Sequence, residues 1–407
     1  MSPDVGTGAT GATGAPRALV LTERLEPGGK LSHVVTLCAG LESIGWRVEL
    51  IDRSAFSLLE RAWIVVPDRL LRPFDRVRGH HWFLPAYLRT LERHLRARIR
   101  RDGPPSVLSL HEPFVVEVAR RAAPGVPVVL TVHGPAHAEV ASGYGVPIDH
   151  PTVQWLREYE RRAFLEADAV VSVDQAHADY VRSFGRRDRI WVIPNAVDTR
   201  RFHPGVRGEP FPPDVEAWIA GRPIVFCARL LVPKNGVDVA VEAARRLRDR
   251  GPACALLVAG DGPERERLAG QVHEYGLEGH VRFLGTVDAA PMPGWCARAS
   301  VVIVPSVSHK GVEEATSISA IEGQACARPV VASALGGLRE VVTDGVNGLL
   351  VPPGDPDALA DAVRRVLLDS ALAARLGAAA AENVRAHHAL DAWARRFAEV
   401  FEAAGAR

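Results

Sequence analysis

The sequence predicts an α/β protein made of two doubly wound Rossmann-like domains that face each other across a cleft. Short runs rich in Val, Ile and Leu recur along the chain, and each is followed by a loop and a stretch with helical periodicity. This alternation is typical of parallel sheets covered by helices on both faces. The alternation stops in a segment rich in Pro, Gly and charge at residues 200–220, interpreted as a linker, and then starts again.

The first domain is predicted at residues 17–199, after a disordered tail at residues 1–16 that is rich in Gly, Ala and Thr. It opens on a strand at Arg17–Thr22 and a helix at Leu31–Ser43, in which apolar residues recur every three or four positions. Its other predicted strands are Arg47–Ile51, Val107–Leu110, Val128–Val132, Ala169–Val173 and Arg189–Ile193.

The second domain, predicted at residues 200–388, repeats the pattern. Its strands are predicted at Ile224–Cys227, Ala255–Ala259, Val281–Leu284, Val301–Val304, Val330–Ala332 and Gly348–Val351, and its helices at Val237–Asp249, Glu264–Tyr275, Ser319–Ala325 and Asp357–Leu368. A last helix lies within residues 389–407 and is a candidate to cross back to the first domain. Ligands of such sheets bind beyond the carboxyl ends of the strands, which predicts a site between the domains.

Composition narrows the class of protein. The net charge of the 407 residues is +1, so no overall field favours a nucleic acid. The five cysteines are scattered without metal-binding spacing, which favours buried thiols in a reducing compartment. No signal peptide is recognisable, and no apolar run approaches the roughly 18–20 residues of a membrane helix. We therefore expect a cytoplasmic protein with no transmembrane segment.

The commonest ligand of a Rossmann-like domain, a dinucleotide, is not predicted. The first strand is not followed by the G-x-G-x-x-G pattern, and the chain has no phosphate-binding G-x-x-x-x-G-K-[ST] loop. The pair Gly28 and Gly29 instead precedes the first helix. Glycines there let backbone amides approach a phosphate at the helix N-terminus, although an ordinary turn explains them equally well.

Two cations follow the first strand of the second domain. Arg229 and Lys234 lie five positions apart in a chain that has only three lysines. A diphosphate needs such cations at a strand end. Arginine can form two parallel hydrogen bonds to phosphate oxygens, and lysine supplies a compact positive charge. A solvated surface loop is the alternative interpretation.

Two acids, Glu314 and Glu322, follow a later strand with the spacing E-x7-E. Each carboxylate accepts several hydrogen bonds, which suits the vicinal hydroxyls of a sugar. The spacing alone occurs often by chance, and its place beside the cationic loop carries more weight. The turn that begins at Gly260 is mostly structural, with a possible close approach of its backbone to a ligand.

With these features together, the chain resembles the retaining glycosyltransferases of GT-B fold, in particular family 4 (glycosyl transferases group 1). The resemblance covers residues 17–386. Its motifs, in chain order, are Gly28-Gly29, Thr131-Val132-His133-Gly134, Pro194-Asn195-Ala196-Val197-Asp198, Arg229 with Lys234-Asn235-Gly236, Gly260-Asp261-Gly262-Pro263-Glu264, the E-x7-E segment, Pro329-Val330-Val331-Ala332-Ser333, Gly336-Gly337-Leu338-Arg339-Glu340 and Asn347-Gly348-Leu349-Leu350-Val351.

The resemblance implies roles for individual residues. The expected catalytic residues are His133, Arg229, Lys234 and Glu314, and the expected donor-binding residues are Gly28, Gly29, Gly260, Phe283, Ala315, Thr316, Ser317, Ile318 and Glu322. Arg229 and Lys234 would hold the diphosphate, helped by the amide of Gly29. Glu322 would bind the ribose, Glu314 and His133 the transferred sugar, and Phe283 would lie near the base.

The implied reaction moves a hexose or N-acetylhexosamine from a nucleoside-diphosphate sugar, UDP rather than GDP, to an acceptor hydroxyl by a same-face, retaining mechanism. Neither a metal nor a cofactor is expected, because the cations replace the metal. Two alternatives are a nucleotide-sugar epimerase on the same frame and a non-catalytic binding module. The sequence does not decide whether the acceptor is a small molecule, a lipid or a polysaccharide.

Acceptor contacts are expected from the first domain, at His81, Trp82, His137 and Tyr144. The basic helix predicted at Tyr87–Arg101 suggests a weak peripheral membrane contact, with a solvated face as the alternative.

Three positions depart from the family pattern. Ala315-Thr316-Ser317 replaces a glycine-containing loop and leaves the donor sugar open, while Asn235 and Ala327 stand where glycine is usual.

Overall fold

The computed structural model describes residues 14–23, 28–71, 77, 79–207, 210–310 and 313–406. The tail predicted at residues 1–16 lies mostly outside them. In the first domain the elements are β1 (Arg17–Leu21), α1 (Gly29–Ser43), β2 (Arg47–Ile51), α2 (Leu58–Leu71), α3 (His80–Asp102), β3 (Val107–Leu110), α4 (Val116–Ala122), β4 (Val128–Val132), α5 (Ala136–Tyr144), α6 (Pro151–Glu166), β5 (Ala169–Ser172), α7 (Gln175–Ser183) and β6 (Ile190–Val192).

The second domain follows with α8 (Pro213–Ile219), β7 (Ile224–Ala228), α9 (Val237–Arg250), β8 (Ala255–Ala259), α10 (Arg265–Glu274), β9 (Val281–Gly285), α11 (Met292–Arg298), β10 (Val301–Val304), α12 (Ile318–Ala325), β11 (Val330–Ser333), α13 (Leu338–Val341), β12 (Leu349–Val351), α14 (Pro356–Leu368), α15 (Ser370–His387) and α16 (Leu390–Gly405).

Each domain contains one six-stranded parallel sheet. The strand order is β2-β1-β3-β4-β5-β6 in the first domain and β12-β11-β10-β7-β8-β9 in the second. In both sheets the order reverses beside the first strand of the domain, which creates the crevice where ligands of doubly wound sheets bind. The predicted fold class is thereby confirmed.

The sequence predicted a linker at residues 200–220, but part of this segment is packed into the second domain. Phe202, Phe211, Val215 and Ile219 are buried in the core of the second domain, and the last two lie on α8. The final helix, α16, packs on the first domain, where Trp393 and Phe397 join a core that includes Leu37 and Leu41 of α1. The chain therefore crosses between the domains twice.

Ala327 adopts a left-handed backbone, with φ of 55°, directly after α12. This conformation costs a residue with a Cβ roughly 1–2 kcal/mol, which explains why glycine is usual in the family at this position. Ala327→Gly relieves that strain but adds about 0.5–1 kcal/mol of chain entropy to the unfolded state. We expect the free energy of unfolding to stay level or to rise by up to about 1 kcal/mol. Thermal melts measure this change against Ala374→Gly, a control at an exposed position in the second turn of α15 that should lose about 1 kcal/mol of stability. An equal loss in both variants would contradict the strain.

Candidate active site

The two domains meet at the carboxyl ends of their strands. Gly28 precedes α1 with φ of 144°, and a Cβ placed on it would lie 3.1 Å from Cδ1 of Leu230 in the second domain. His133 and Gly134 directly follow β4. The predicted glycine pair and the predicted sugar-contacting histidine therefore both lie at the carboxyl edge of the first sheet, and Gly28 faces the loop that carries Arg229 and Lys234.

Arg229 ties together several loops of the second domain. Its guanidinium forms a bidentate ion pair with Glu314, at 2.9 Å to Oε1 and 2.6 Å to Oε2. Further hydrogen bonds reach the side chains of Ser306 and Ser317, at 2.9 Å and 3.2 Å, and the Oδ1 atom of Asn235. Burial opposes the charge of both partners, but their mutual attraction prevails, so the pKa of Glu314 is lowered and that of Arg229 raised. Glu314 is thus ionised throughout the neutral range.

One donor of Arg229 remains available. Its Nε is buried and has no hydrogen-bond partner among the described residues. An unsatisfied buried donor costs about 1–3 kcal/mol, so an anionic ligand that accepts from it would be stabilising. Arg229 therefore acts mainly as a support for the loops around Glu314, and within the described part of the chain Nε is its one guanidinium nitrogen without an acceptor.

The loop around Glu314 is held by two glycines. The N–H of Gly337 donates to the Glu314 carbonyl at 2.9 Å. A Cβ on Gly336 would lie 2.2 Å from that carbonyl oxygen, and one on Gly337 would lie 2.5 Å from the Thr316 nitrogen. The glycines of the predicted Gly336-Gly337 motif are thus required by close backbone approach.

Lys234 makes a contact across the cleft that the sequence did not predict. Its Nζ lies 3.7 Å from Oε1 of Glu139 on α5, and both side chains are substantially exposed. Glu139 folds over Gly134, because a Cβ there would lie 2.8 Å from the same carboxylate oxygen. A single acid on a helix gives no sequence signal, so only the folded chain identifies Glu139 as a neighbour of Gly134 and Lys234.

A phosphate that binds Lys234 has to displace Glu139. For Glu139→Gln we expect a fall of about 2–5-fold in the KM for the donor, because an exposed ion pair contributes about 0–1 kcal/mol. Initial rates at varied donor concentration measure this, with Glu158→Gln as a control at a similarly exposed carboxylate of the same domain. An unchanged or higher donor KM would show that Glu139 does not compete with the donor.

Glu322 lies one turn into α12, in less polar surroundings than Glu314. Burial raises its pKa to about 7, and the positive charge of Arg201 opposes the shift only partly. Burial raises the pKa values of the Cys296 and Cys326 thiols, and the nearby carboxylate of Glu322 raises them further. Near neutral pH Glu322 therefore exists partly as the acid and partly as the carboxylate.

The raised pKa of Glu322 makes stability depend on pH. Between about pH 4.5 and 7 the unfolded chain loses this proton while the folded chain keeps it, so the free energy of unfolding falls as the pH rises. Glu322→Gln cannot ionise and should be more stable than the parent chain by about 1–3 kcal/mol at pH 8, relative to their difference at pH 5. Thermal melts at the two pH values measure this. A stability difference that is the same at both would contradict the shift.

Thr316 serves the contact between the domains. Its hydroxyl donates to the Val173 carbonyl at 3.0 Å and accepts from the Asn195 N–H at 3.1 Å. Asn195 in turn donates from Nδ2 to the Thr316 carbonyl at 2.7 Å, and its own carbonyl accepts from His388 at 2.8 Å. The side chain of Thr316 is buried and bonded to Asn195 and Val173, so the departure from the family pattern supports the domain contact.

The remaining predicted donor residues lie around this loop and on the adjacent strands. Gly260 follows β8, with φ of 139° and a Cβ position only 2.0 Å from the Arg229 carbonyl oxygen. Phe283 lies on β9 beneath Arg265, whose guanidinium carbon is 4.7 Å from the ring centroid. Ala315 and Ile318 flank the buried pair Thr316 and Ser317 and are half-buried.

Three histidines gather at the carboxyl edge of the first sheet. His33 of α1 shares a 2.7 Å hydrogen bond with Asn195, and His111, which follows β3, lies 3.0 Å from His133 between ring nitrogens. Burial lowers all three pKa values, to about 4 for His33 and well below the usual range for the others. His133 is therefore neutral at working pH. The sequence had not linked His33 and His111 to the site.

The expected acceptor residues separate in the structure. His81 and Trp82 are exposed near the start of α3, and Tyr144 is half-buried at the end of α5. His137, in contrast, is buried and hydrogen-bonded through Nδ1 to the carboxylate of Glu160, and Tyr180 donates to the same carboxylate at 3.2 Å. The expectation that His137 contacts the acceptor is corrected on this ground, because its imidazole is enclosed and already bonded.

The basic helix is less charged than its sequence suggests. Within α3, arginines pair with carboxylates at Arg93–Glu60, Arg96–Glu92, Arg98–Glu49 and Arg101–Asp102. The neighbouring α2 exposes apolar side chains instead, namely Leu58, Leu59, Trp63, Val66 and Leu70, beside Trp82. Among the described residues, no helix combines the length and apolar character needed to cross a bilayer.

Comparison with known proteins identifies the family to which the chain belongs. Residues 27–201 match the family described as Glycosyltransferase Family 4, and residues 213–383 match Glycosyl transferases group 1. A D-inositol 3-phosphate glycosyltransferase from Kribbella flavida is 31% identical over 387 residues, which cover 88% of this chain and 87% of that relative. The chain belongs to the group 1 glycosyltransferases. The predicted family and enzyme class are confirmed.

Other relatives and structures are consistent with this family. A GDP-mannose-dependent alpha-(1-6)-phosphatidylinositol monomannoside mannosyltransferase from Mycolicibacterium smegmatis is 34% identical over 62% of this chain and 66% of its own length. Sucrose-phosphate synthase from Thermosynechococcus elongatus has a TM-score of 0.73 at 23% identity, over 95% of this chain and 98% of its own. HepE from Anabaena, in complex with UDP-glucose, has a TM-score of 0.69 at 20% identity, over 95% and 99%. At such identities the two structures show the fold alone.

Proposed function

We propose that this glycosyltransferase moves a hexose or N-acetylhexosamine from a nucleoside-diphosphate sugar to an acceptor hydroxyl with retention of the anomeric configuration. The observation that carries the proposal is the arrangement at the cleft. Lys234 and the unpartnered Nε of Arg229 supply positive charge. Glu314 and His133 lie on opposite sides with lone pairs for sugar hydroxyls.

The proposed mechanism uses these groups without a metal. The bond between the anomeric carbon and the diphosphate oxygen breaks, and Lys234 and Arg229 stabilise the negative charge that develops on that oxygen. The acceptor oxygen forms its new bond on the same face, and its proton passes to the departing phosphate. His133, held neutral by burial, hydrogen-bonds to the sugar but does not protonate it.

For the donor base we propose guanine in place of the uracil expected from the sequence. The Mycolicibacterium relative is GDP-mannose-dependent by name. Arg265 lies over Phe283, the residue expected near the base, and arginine offers paired donors that match guanine O6 and N7. Thermal shifts should be larger with GDP than with UDP, and Arg265→Ala should remove most of the difference. A larger shift with UDP would restore the uridine assignment.

For the acceptor we propose a hydroxyl of a cyclitol, either free or in a lipid headgroup. The names of the Kribbella and Mycolicibacterium relatives both contain an inositol derivative. The test incubates the full chain with GDP-mannose and either D-inositol 3-phosphate or phosphatidylinositol vesicles, and reads the anomeric configuration of the product by NMR. An inverted product would refute the mechanism, and an epimerised donor in the absence of acceptor would favour the epimerase alternative.

We also propose that any peripheral membrane contact is made by the apolar face of α2. Trp63 and Leu59 are 61% and 84% exposed, whereas most arginines of α3 are neutralised by ion pairs. Trp and Leu side chains of this kind bury themselves at the boundary of headgroups and acyl chains. Flotation with anionic vesicles should lose the bound fraction in the Leu59→Ser/Trp63→Ser variant. Equal binding of variant and parent chain would refute the proposed membrane contact of α2.

The free cysteines support the proposal that the protein works in a reducing, cytoplasmic compartment.

A further inference from the structure

The three histidines at the first sheet form a compact set of nitrogen ligands. They come from α1, from the residue after β3 and from the residue after β4, and these two strands are neighbours in the sheet. One ring nitrogen from each of His33, His111 and His133 lies within 4.8 Å of the others. Separate elements of the fold thus direct three imidazoles to one point.

The hydrogen bonds determine the tautomer of His33. The Nδ2 atom of Asn195 donates to the Thr316 carbonyl, so the amide atom that faces His33 is the oxygen. The Nδ1 of His33 must therefore carry the proton, which leaves Nε2 with a free lone pair. That Nε2 is buried without a hydrogen-bond partner among the described residues.

A cation would satisfy this arrangement. Zinc binds histidine nitrogens at about 2.0–2.1 Å, which places two ligands of a tetrahedral ion about 3.3 Å apart. Nδ1 of His111 and Nε2 of His133 are already 3.0 Å apart in a hydrogen bond that a cation would replace, and a ring nitrogen of His33 lies within 4.8 Å of both histidines' ligand atoms. A hydrogen bond from the second nitrogen of a ligating histidine is the usual outer support, and Asn195 accepts it from His33.

We propose that His33, His111 and His133 bind one Zn²⁺ ion, with the fourth coordination position open to the cleft beside the half-buried His133. Bound zinc would hold the imidazole of His133, which the proposed function directs at the donor sugar. The ion would then be a reversible inhibitor of transfer and not a requirement for it. This consequence rests on the proposed function, whereas the binding site itself does not.

The test measures binding directly. The full chain is treated with a chelator, desalted and titrated with Co²⁺ and Zn²⁺, and the metal content is read by mass spectrometry. We expect one ion per chain, an absorption spectrum of tetrahedral Co²⁺, and binding weaker by at least about 100-fold in His33→Gln and His111→Gln. His273→Gln, at a histidine that is 85% exposed on α10, is the control and should bind like the parent chain.

Circular dichroism without metal shows whether the variants fold. If they do not fold, the Co²⁺ spectrum of the parent chain still tests the site. Sub-stoichiometric uptake, an octahedral spectrum, or equal binding in folded His33→Gln and His273→Gln would overturn the site. If zinc binds but transfer is unaffected by zinc and by its removal, the inhibitory role is refuted while the site stands. Absence of any transfer activity would refute the proposed function and leave the binding result intact.

Discussion

Lys234→Ala is expected to lower kcat by about 10²–10³-fold, the usual loss when one group that stabilises developing charge is removed from an active site. The argument depends on how the two cations differ. Arg229 uses its guanidinium to hold Glu314 and the neighbouring loops, and among the residues that the structure describes only its Nε has no acceptor. Among the described residues, Lys234 forms one long ion pair, with Glu139 at 3.7 Å, and its charge also contributes to lowering the pKa of Glu314 after the larger effect of Arg229. Its ammonium group can therefore turn to the leaving phosphate.

Folding should be unaffected by this substitution, because an exposed ion pair contributes about 0–1 kcal/mol. Initial rates together with thermal melts separate the two effects, and Arg250→Ala, at a cation that is 78% exposed on α9, serves as the control. Lys234→Arg should recover part of the rate. It keeps the positive charge, but the planar guanidinium presents its donors in a different geometry from the compact ammonium group of lysine. Near-normal turnover of a folded Lys234→Ala chain would remove the lysine from the mechanism.

The sheets were predictable from the sequence, whereas several helices were not. Strands such as Val128–Val132 are continuous apolar runs because both faces are buried, and few other structures produce a short apolar run of this kind. The helix α2 escaped prediction because its apolar residues face outward and Pro67 lies within it. The helix α8 was hidden in a segment whose Pro and Gly content indicates a loop.

The candidate site was predictable only in part, for a related reason. Local patterns placed Arg229, Lys234 and Glu314 at strand ends, but they could not show that Arg229 and Glu314 bond to each other across 85 positions of sequence. His137 was expected to contact the acceptor, because the sequence does not show that its partner, Glu160, on another helix 23 positions away, already binds its imidazole. Contacts between distant segments decide which charged groups remain available, and periodicity carries no information about them.

Arg229→Ala is expected to lower the free energy of unfolding by about 3–5 kcal/mol, because it leaves the carboxylate of Glu314 buried without its partner. The side chains of both residues are at most 12% exposed, so water cannot replace the lost ion pair. For a domain of this size the loss corresponds to a fall in Tm of roughly 6–20 °C. Arg161→Ala, which breaks an exposed pair with Glu158, should change stability by less than about 1 kcal/mol.

A double-mutant cycle tests whether the pairing itself is responsible. The chain with Arg229→Ala and Glu314→Ala has no orphaned charge, so it should be more stable than Arg229→Ala alone even though it has lost more atoms. If the double variant loses the sum of the two single losses, the residues are not coupled and the support role of Arg229 is refuted. Arg229→Lys refines the result, since it keeps a charge beside Glu314 but loses the contacts to Ser306, Ser317 and Asn235. Partial recovery of stability without recovery of donor binding would then show that the geometry of the Glu314 loop, more than its charge balance, determines whether the donor can bind.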